Sequence, residues 1–318
     1  MNHIVMLKKE YFRNKLKSVF RIFFTISVFL IRRSSKKQGK TTLECIIFSK
    51  DRAMQLHALL SSYFDKVAST VQVHVLYNTS NSNHQKSYED LILIYRDRNV
   101  SFVKQRNNLS FRRDFLKLLS SLLSEKVMLL VDDVVFINEI DLHDIAGYDL
   151  TNYVPSLRMG CNIDFDVDST PGWSPRIIEN NKIEWFWNQG SYAWGYPLSL
   201  DGHIFLRKEI LHLARWISFN GPNSLETNLQ LFTYLYSKHH GLAERRSVIV
   251  NIPYNKVQME NENLCGNIHQ DFLLEQWHRG YQIDYRKLSG LHHSCTHTDI
   301  SLVMIPREIG ANTKHENH

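Results

Sequence analysis

Apolar residues along this chain fall into short runs of strand length that alternate with amphipathic stretches. Leu43 to Phe48 is the first such run. The polar Ser49-Lys50-Asp51-Arg52 follows, with Asp51 placed to cap a helix on which Leu56, Leu59, Leu60 and Tyr63 recur at steps of three and four. Val71 to Tyr77 alternates as a second strand and ends in the turn-forming Asn78-Thr79-Ser80-Asn81. A helix around Tyr88, Leu91, Ile92 and Tyr95 leads to a third strand, Val100 to Val103. The next helix turns Phe111, Phe115, Leu118, Leu119 and Leu122 inward and Arg112, Arg113 and Lys117 outward. Val127-Met128-Leu129-Leu130-Val131 then reads as a fully buried strand that runs into Asp132-Asp133, before Val134-Val135-Phe136. Strands alternating with amphipathic helices predict an α/β fold with a mostly parallel, Rossmann-like sheet flanked by helices.

Beyond about residue 150 the texture changes. Aromatic residues become dense (Trp173, Trp185, Phe186, Trp187, Tyr192, Trp194, Tyr196), and Pro197 to Phe205 reads as a hairpin around Asp201-Gly202. Helices are expected near Ile210 to Trp216, Leu225 to Tyr236 and Asp271 to Trp277, with a strand at Ser247 to Ile252. The pattern divides the chain into an N-terminal segment (1–40), a ligand-binding half (41–150), an aromatic-rich half (151–305) and a disordered tail (306–318).

The net charge of +6 belongs to the N-terminus, where eleven Lys or Arg residues precede residue 41 against the single acid Glu10. The remainder is slightly acidic, which argues against nucleic acid as a partner. Val19 to Ile31 is nearly all apolar, but Arg21 interrupts it and basic clusters flank it. A spanning helix needs about 20 apolar residues, and no small-residue cleavage site follows. An interfacial helix on an anionic membrane surface fits this segment better. Four cysteines without CxxC spacing suggest a reduced compartment. Cys265 and Cys295 among His269, His292, His293 and His297 form an irregular candidate zinc set.

Adjacent carboxylates at the carboxyl end of a buried strand lie where α/β sheets bind ligands, and they suit a divalent ion that also holds phosphates. The alternative for Asp132-Asp133 is a helix cap beside a surface acid. Neither GxGxxG nor GxxxxGK[ST] occurs, so phosphates would be held by metal and basic side chains. Asp51, Arg52 and Asn78 end the first two strands, where Arg52 can pair with phosphate or stack on a base. Arg112, Arg113 and Arg158 are further diphosphate candidates or solvated helix faces. Asp164, Asp166 and Asp168 form a second acidic cluster in a turn-rich stretch, ranked below the first.

Cys45-Ile46-Ile47-Phe48-Ser49-Lys50-Asp51-Arg52, the Leu129-Leu130-Val131-Asp132-Asp133-Val134-Val135-Phe136 strand, Ser156-Leu157-Arg158-Met159-Gly160 and Asn220-Gly221-Pro222-Asn223-Ser224-Leu225-Glu226 together resemble bacterial GT-A fold glycosyltransferases. These are family-2-like enzymes of surface polysaccharide assembly, and the resemblance runs from about residue 43 to 305. It implies a nucleoside-diphosphate sugar bound by Ser49, Asp51, Arg52, Asn78, Arg113 and Asp132, with Mn²⁺ or Mg²⁺ on Asp133. Asp132-Asp133-Val134 departs from the family's usual Asp-x-Asp, so the ion would rest on one carboxylate and the diphosphate. Glu226 would be the base that deprotonates an acceptor hydroxyl. The same residue also spells a capping box with Asn223. Trp187, Tyr192, Trp194 and Tyr196 would form a wall for a glycan or lipid-linked acceptor, and core packing competes for them. The implied setting is cytoplasmic, peripheral on the inner membrane. A sugar nucleotidyltransferase and a non-catalytic carbohydrate-binding protein are the alternatives, the first disfavoured by the lack of glycine after the first strand.

Overall fold

The computed structural model describes residues 2–38, 42–163, 174–253, 270–298 and 300–307. The long helix α1 (Asn2–Gln38) is followed by a βα series: β1 (Leu43–Lys50), α2 (Ala53–Lys66), β2 (Gln72–Asn78), α3 (Ser82–Ile94), β3 (Val100–Lys104), α4 (Phe111–Ser121) and β4 (Lys126–Val131). Shorter elements come next: β5 (Val134–Phe136), α5 (Leu142–Ala146), β6 (Tyr153–Pro155), β7 (Arg176–Ile178), β8 (Lys182–Phe186) and β9 (His203–Leu206). The described chain ends with α6 (Arg207–Arg215), α7 (Pro222–Leu229), β10 (His240–Glu244), β11 (Ile249–Asn251), α8 (Gln270–His278), β12 (Tyr281–Ile283) and β13 (Met304–Pro306).

The central sheet has the order β3-β2-β1-β4-β9, parallel throughout except for β9. This is the predicted α/β architecture, with every strand of the series where the hydrophobic runs put it. Alternation along the strands separates two cores. Cys45, Ile47, Met128 and Leu130 pack with α2 and α8, while Ile46, Phe48, Val127 and Leu129 pack with α4, α6 and α7. Both faces are covered, which is why these strands read as continuous apolar runs rather than alternating ones.

A second sheet, β6-β10-β8-β7, packs against the α4–α7 side. Gly241 lets it close there, because a Cβ at this position would come within 2.1 Å of the Trp185 indole. β5 pairs with β11, and β12 with β13.

The expected hairpin at Pro197–Phe205 does not form. β9 pairs antiparallel with β4, placing His203 opposite Leu129, and Gly202, at φ 77°, makes the turn that admits it. The same alternation serves a hairpin or a strand joined to a distant edge; here β4 offered a long, apolar, otherwise unpaired edge. Asp164, Asp166, Asp168, Trp173, Cys265, His269 and the tail after 307 lie outside the described residues.

α1 is docked rather than free. Phe24 and Val28 are buried, Phe24 meets the rings of Phe232 and Trp216, and Arg32 grips Glu209 through Nε and Nη2 at 2.9 and 2.5 Å. Tyr236 donates to the same carboxylate. Among the described residues no helix is long and apolar enough to cross a membrane.

The two-sided burial of β4 sets a clear expectation. Leu129→Ala, at a fully buried position, should cost about 2–5 kcal/mol in chemical denaturation. Leu109→Ala, at a 93% exposed position, should stay within about 0.5 kcal/mol.

Candidate functional site

In the order β3-β2-β1-β4, the chain winds outward from β1 to β3 with α2 and α3 on one face, then crosses the other face through α4 to enter β4 beside β1. The order therefore reverses between β1 and β4, and a crevice is expected at their carboxyl ends. Ser49 to Arg52 and Asp132-Asp133 meet in that crevice. Asp132 is buried, and its Oδ2 accepts from Ser49 Oγ at 2.9 Å and from the Lys50 N–H at 3.2 Å. The Ser49 hydroxyl also lies 2.5 Å from the buried Tyr88 hydroxyl. Arg52 Nη1 spans the acids, 3.0 Å from Asp132 Oδ1 and 3.2 Å from Asp133 Oδ2. Burial pushes the Asp132 carboxyl above its usual range, although Arg52 pulls the other way. Asp133 is the more outward acid, its side chain 15% exposed, and its Oδ1 accepts from Asn251 Nδ2 at 3.3 Å. Two carboxylates and one guanidinium leave this cluster with a net negative charge.

Asp51 and Asn78 brace the floor of the crevice. Asp51 adopts a left-handed φ of 56°, and its carboxylate accepts from the Ser80 N–H at 2.8 Å and stands 3.9 Å from His84 Nδ1. It does not cap α2; that place falls to Arg52, without a side-chain bond. The reason is geometric: the tight turn aims the carboxylate across to the loop after β2. Asn78 Nδ2 donates to Asn108 Oδ1 at 2.6 Å, fixing the loop that leads into α4. Arg113 is 59% exposed and pairs with Asp114 at 3.6 Å, and no bond joins it to the paired acids. Arg112 reaches the carbonyls of Ile217 and Arg215 instead.

A second acidic cluster lies on the aromatic-rich side. Glu226 is on α7, whose N-cap is Gly221 and whose Ser224 bonds back to the Gly221 N–H. The capping-box reading with Asn223 is therefore incorrect: the helix begins earlier, at Pro222, and Glu226 falls on its inner face. Its Oε1 accepts from Ser199 Oγ at 2.8 Å and the Leu200 N–H at 3.0 Å. Burial, and then the charge of Asp201, push the Glu226 carboxyl up to about 7. Arg158 Nη1 binds Asp201 Oδ2 at 2.8 Å and Ser199 Oγ at 3.0 Å.

The clusters adjoin because β9 runs antiparallel to β4, so its preceding turn, Asp201-Gly202, lies beside the carboxyl end of β4. The 296–298 segment links them further. Its backbone pairs with Asn251, the residue that reaches Asp133, and His297 Nε2 stands 3.9 Å from Asp201 Oδ2. Ser199 and Asn251 were not separable by sequence from other polar residues near strand ends, and His297 stood out only as one of several late histidines; the pairing of β5 with β11 and β9 with β4 brings them here.

The aromatic wall is largely a core. Trp187 and Trp194 are 2% and 1% exposed and pack edge-on around Trp185, so neither can stack on a sugar. Trp187 directly follows β8, whereas Tyr192 and Trp194 fall on a 3-10 turn (Tyr192–Gly195) rather than a strand. Tyr192 is exposed. Tyr196 lies beside Glu226, and burial followed by that carboxylate raises its phenol. Of the irregular zinc set, Cys265 and His269 lie outside the described residues; His293 Nδ1 bonds the Cys295 carbonyl, and the described residues contain no group of three or more His, Cys, Asp or Glu able to hold a metal.

No protein-family model matches the chain. It is 26% identical over 219 residues to the bifunctional glycosyltransferase pgtA of Dictyostelium discoideum, an alignment covering 58% of this chain and 28% of that protein. The chain thus spans under a third of that relative's length. Among solved structures it is similar to S. aureus TarS 1-349 in complex with UDP-GlcNAc, at 14% identity and a TM-score of 0.48, covering 70% of this chain and 62% of that one. The form in complex with UDP gives 15% identity and a TM-score of 0.44, covering 65% and 59%.

Proposed function

We propose that this chain is a glycosyltransferase that moves a sugar from a nucleoside-diphosphate donor to a hydroxyl of a polysaccharide or lipid-linked acceptor. The observation that carries the reading is the adjacency of two acidic clusters of opposite character at one sheet edge: an outward Asp133 beside Arg52, and a buried Glu226 poised near neutrality. Sequence similarity to a glycosyltransferase supports the same reading.

The charge balance at the first cluster bears on the cofactor. A diphosphate approaching a net negative cluster needs an accompanying cation, and Arg52 is already shared by two carboxylates. Asp133, with the substrate's own phosphates, fits Mg²⁺ or Mn²⁺, which accept few protein ligands. When bound, the ion would neutralise charge on the departing diphosphate. Ser49 and Asp132 act by holding Arg52 and the strand ends in place, and Asp51 and Asn78 shape the nucleoside side of the crevice.

At the second cluster, both hydrogen-bond donors reach Glu226 Oε1, which leaves Oε2 to take a proton. The acceptor oxygen attacks the anomeric carbon as its proton passes to Glu226. The bond from that carbon to the phosphate oxygen breaks, and its electron pair leaves with the diphosphate. Direct displacement inverts the anomeric centre. Tyr196, beside the base, and the exposed Tyr192 are the aromatic residues available to the acceptor.

Titration of UDP, GDP and CDP with and without Mn²⁺ should find one nucleotide that binds tightly only with metal. Asp133→Asn should weaken it at least about tenfold; if none of the three binds, the transferase reading loses its support. Glu226→Gln should lower kcat by about 10²–10⁴-fold and leave donor affinity intact, whereas an unchanged kcat would exclude Glu226 as the base. Because the ionised form is the active one, kcat/KM should rise with pH through about 7. Asp201→Asn removes the charge that raises Glu226, so the rising limb should move to lower pH; no movement would contradict the coupling.

A further inference from the structure

Helix α1 carries two apolar faces, and only one of them is used by the fold. Phe24, Val28 and Ser35, spaced by four and seven, are buried against α6 and the turn that follows α7. On the far side Val19, Ile22, Ile26, Phe29 and Leu30 are each 55–60% exposed, with Phe23 at 44%. At 3.6 residues per turn, these six side chains share an arc about 120° wide, opposite Phe24 and Val28. Trp216, at the end of α6 and 54% exposed, sets its ring edge-on to Phe23 at 5.5 Å and extends the same surface. A continuous exposed apolar surface of this kind marks a binding face rather than ordinary surface.

We propose that this face docks in the plane of an anionic lipid bilayer. The charges around it identify the occupant. Lys15, Lys17, Arg21 and Arg33 are exposed, and Lys15 and Arg33 fall on the same side of the helix as the apolar arc, one beyond each end. Anionic headgroups satisfy these cations while the side chains between them enter the acyl boundary. Trp216 supplies the aromatic residue that favours that boundary. The arc from Val19 to Leu30 is about 18 Å long, far short of the roughly 30 Å of a hydrocarbon core. It therefore lies along the surface and does not cross it.

The Arg32–Glu209 pair and the Phe24–Phe232 contact give the docked helix a fixed orientation. Phe232 lies in the 3-10 turn (Gln230–Tyr236) that continues α7, the helix bearing Glu226, and Glu209 on α6 is tied to the same turn by the Tyr236 hydroxyl. Membrane docking would thus hold the candidate site at one attitude to the lipid surface. This inference does not depend on glycosyl transfer.

The test is co-sedimentation of the full chain with vesicles of phosphatidylcholine alone and of phosphatidylcholine with about 30% phosphatidylglycerol, in about 0.15 M salt. The wild type should partition at least about tenfold more strongly onto the anionic vesicles. The combined variant Ile22→Ser, Ile26→Ser, Phe29→Ser should lose at least about tenfold of that binding, with its near-UV circular dichroism unchanged because these side chains face outward. Trp216→Ser should give a smaller loss in the same direction. Wild-type binding by the combined variant would overturn the proposal, as would absence of vesicle binding by the wild type. A dimer in lipid-free buffer that the same substitutions dissociate would also overturn it, by assigning the face to a second copy of this chain.

Discussion

The buried carboxylate of Asp132 is the point on which the candidate site depends. Its bonds to Ser49 Oγ, the Lys50 N–H and Arg52 tie the ends of β1 and β4 together where the sheet's order reverses. An ionised acid at this depth is tolerated only because donors surround it. The arrangement also separates the two adjacent acids by task. Asp132 turns inward and holds the frame, while Asp133 is left at the surface with one neighbour on each oxygen.

Much of the fold was legible in the sequence, for a simple physical reason. A sheet covered on both faces needs continuous apolar strands, and these stand out between amphipathic helices as at Val127 to Val131. The candidate site was most legible at the ends of those strands, as with Arg52, Asp132 and Asp133. Glu226 was legible as a candidate, but its place on the inner face of α7 rather than in a cap turned on where that helix begins, a matter of one turn of backbone. Asn251 and Ser199 carry no local signal, because their importance comes from pairings between segments far apart in the chain.

The aromatic block shows the opposite failure. Tryptophans close together in sequence look alike whether they line a glycan groove or fill a core. Here the small second sheet has little aliphatic residue to bury, and Trp185, Trp187 and Trp194 fill it with one another. Glycine at 241 is the matching concession in the backbone. The polar consequence appears one element away: the turn before β9, held by that packing, carries Ser199 and Asp201 to Glu226.

The Arg32 guanidinium has a bearing on how far this domain extends. Glu209 and Tyr236 are both buried, and Tyr236 is pushed well above its ordinary range by burial and by Glu209. Removing α1 would therefore expose more than an apolar seam. It would strand a carboxylate inside the protein without its counter-ion, a defect worth about 3–5 kcal/mol when one partner of a buried pair is lost. By that measure the N-terminal helix is an integral part of the folded body it packs on, and the folding unit starts well before the first strand of the sheet.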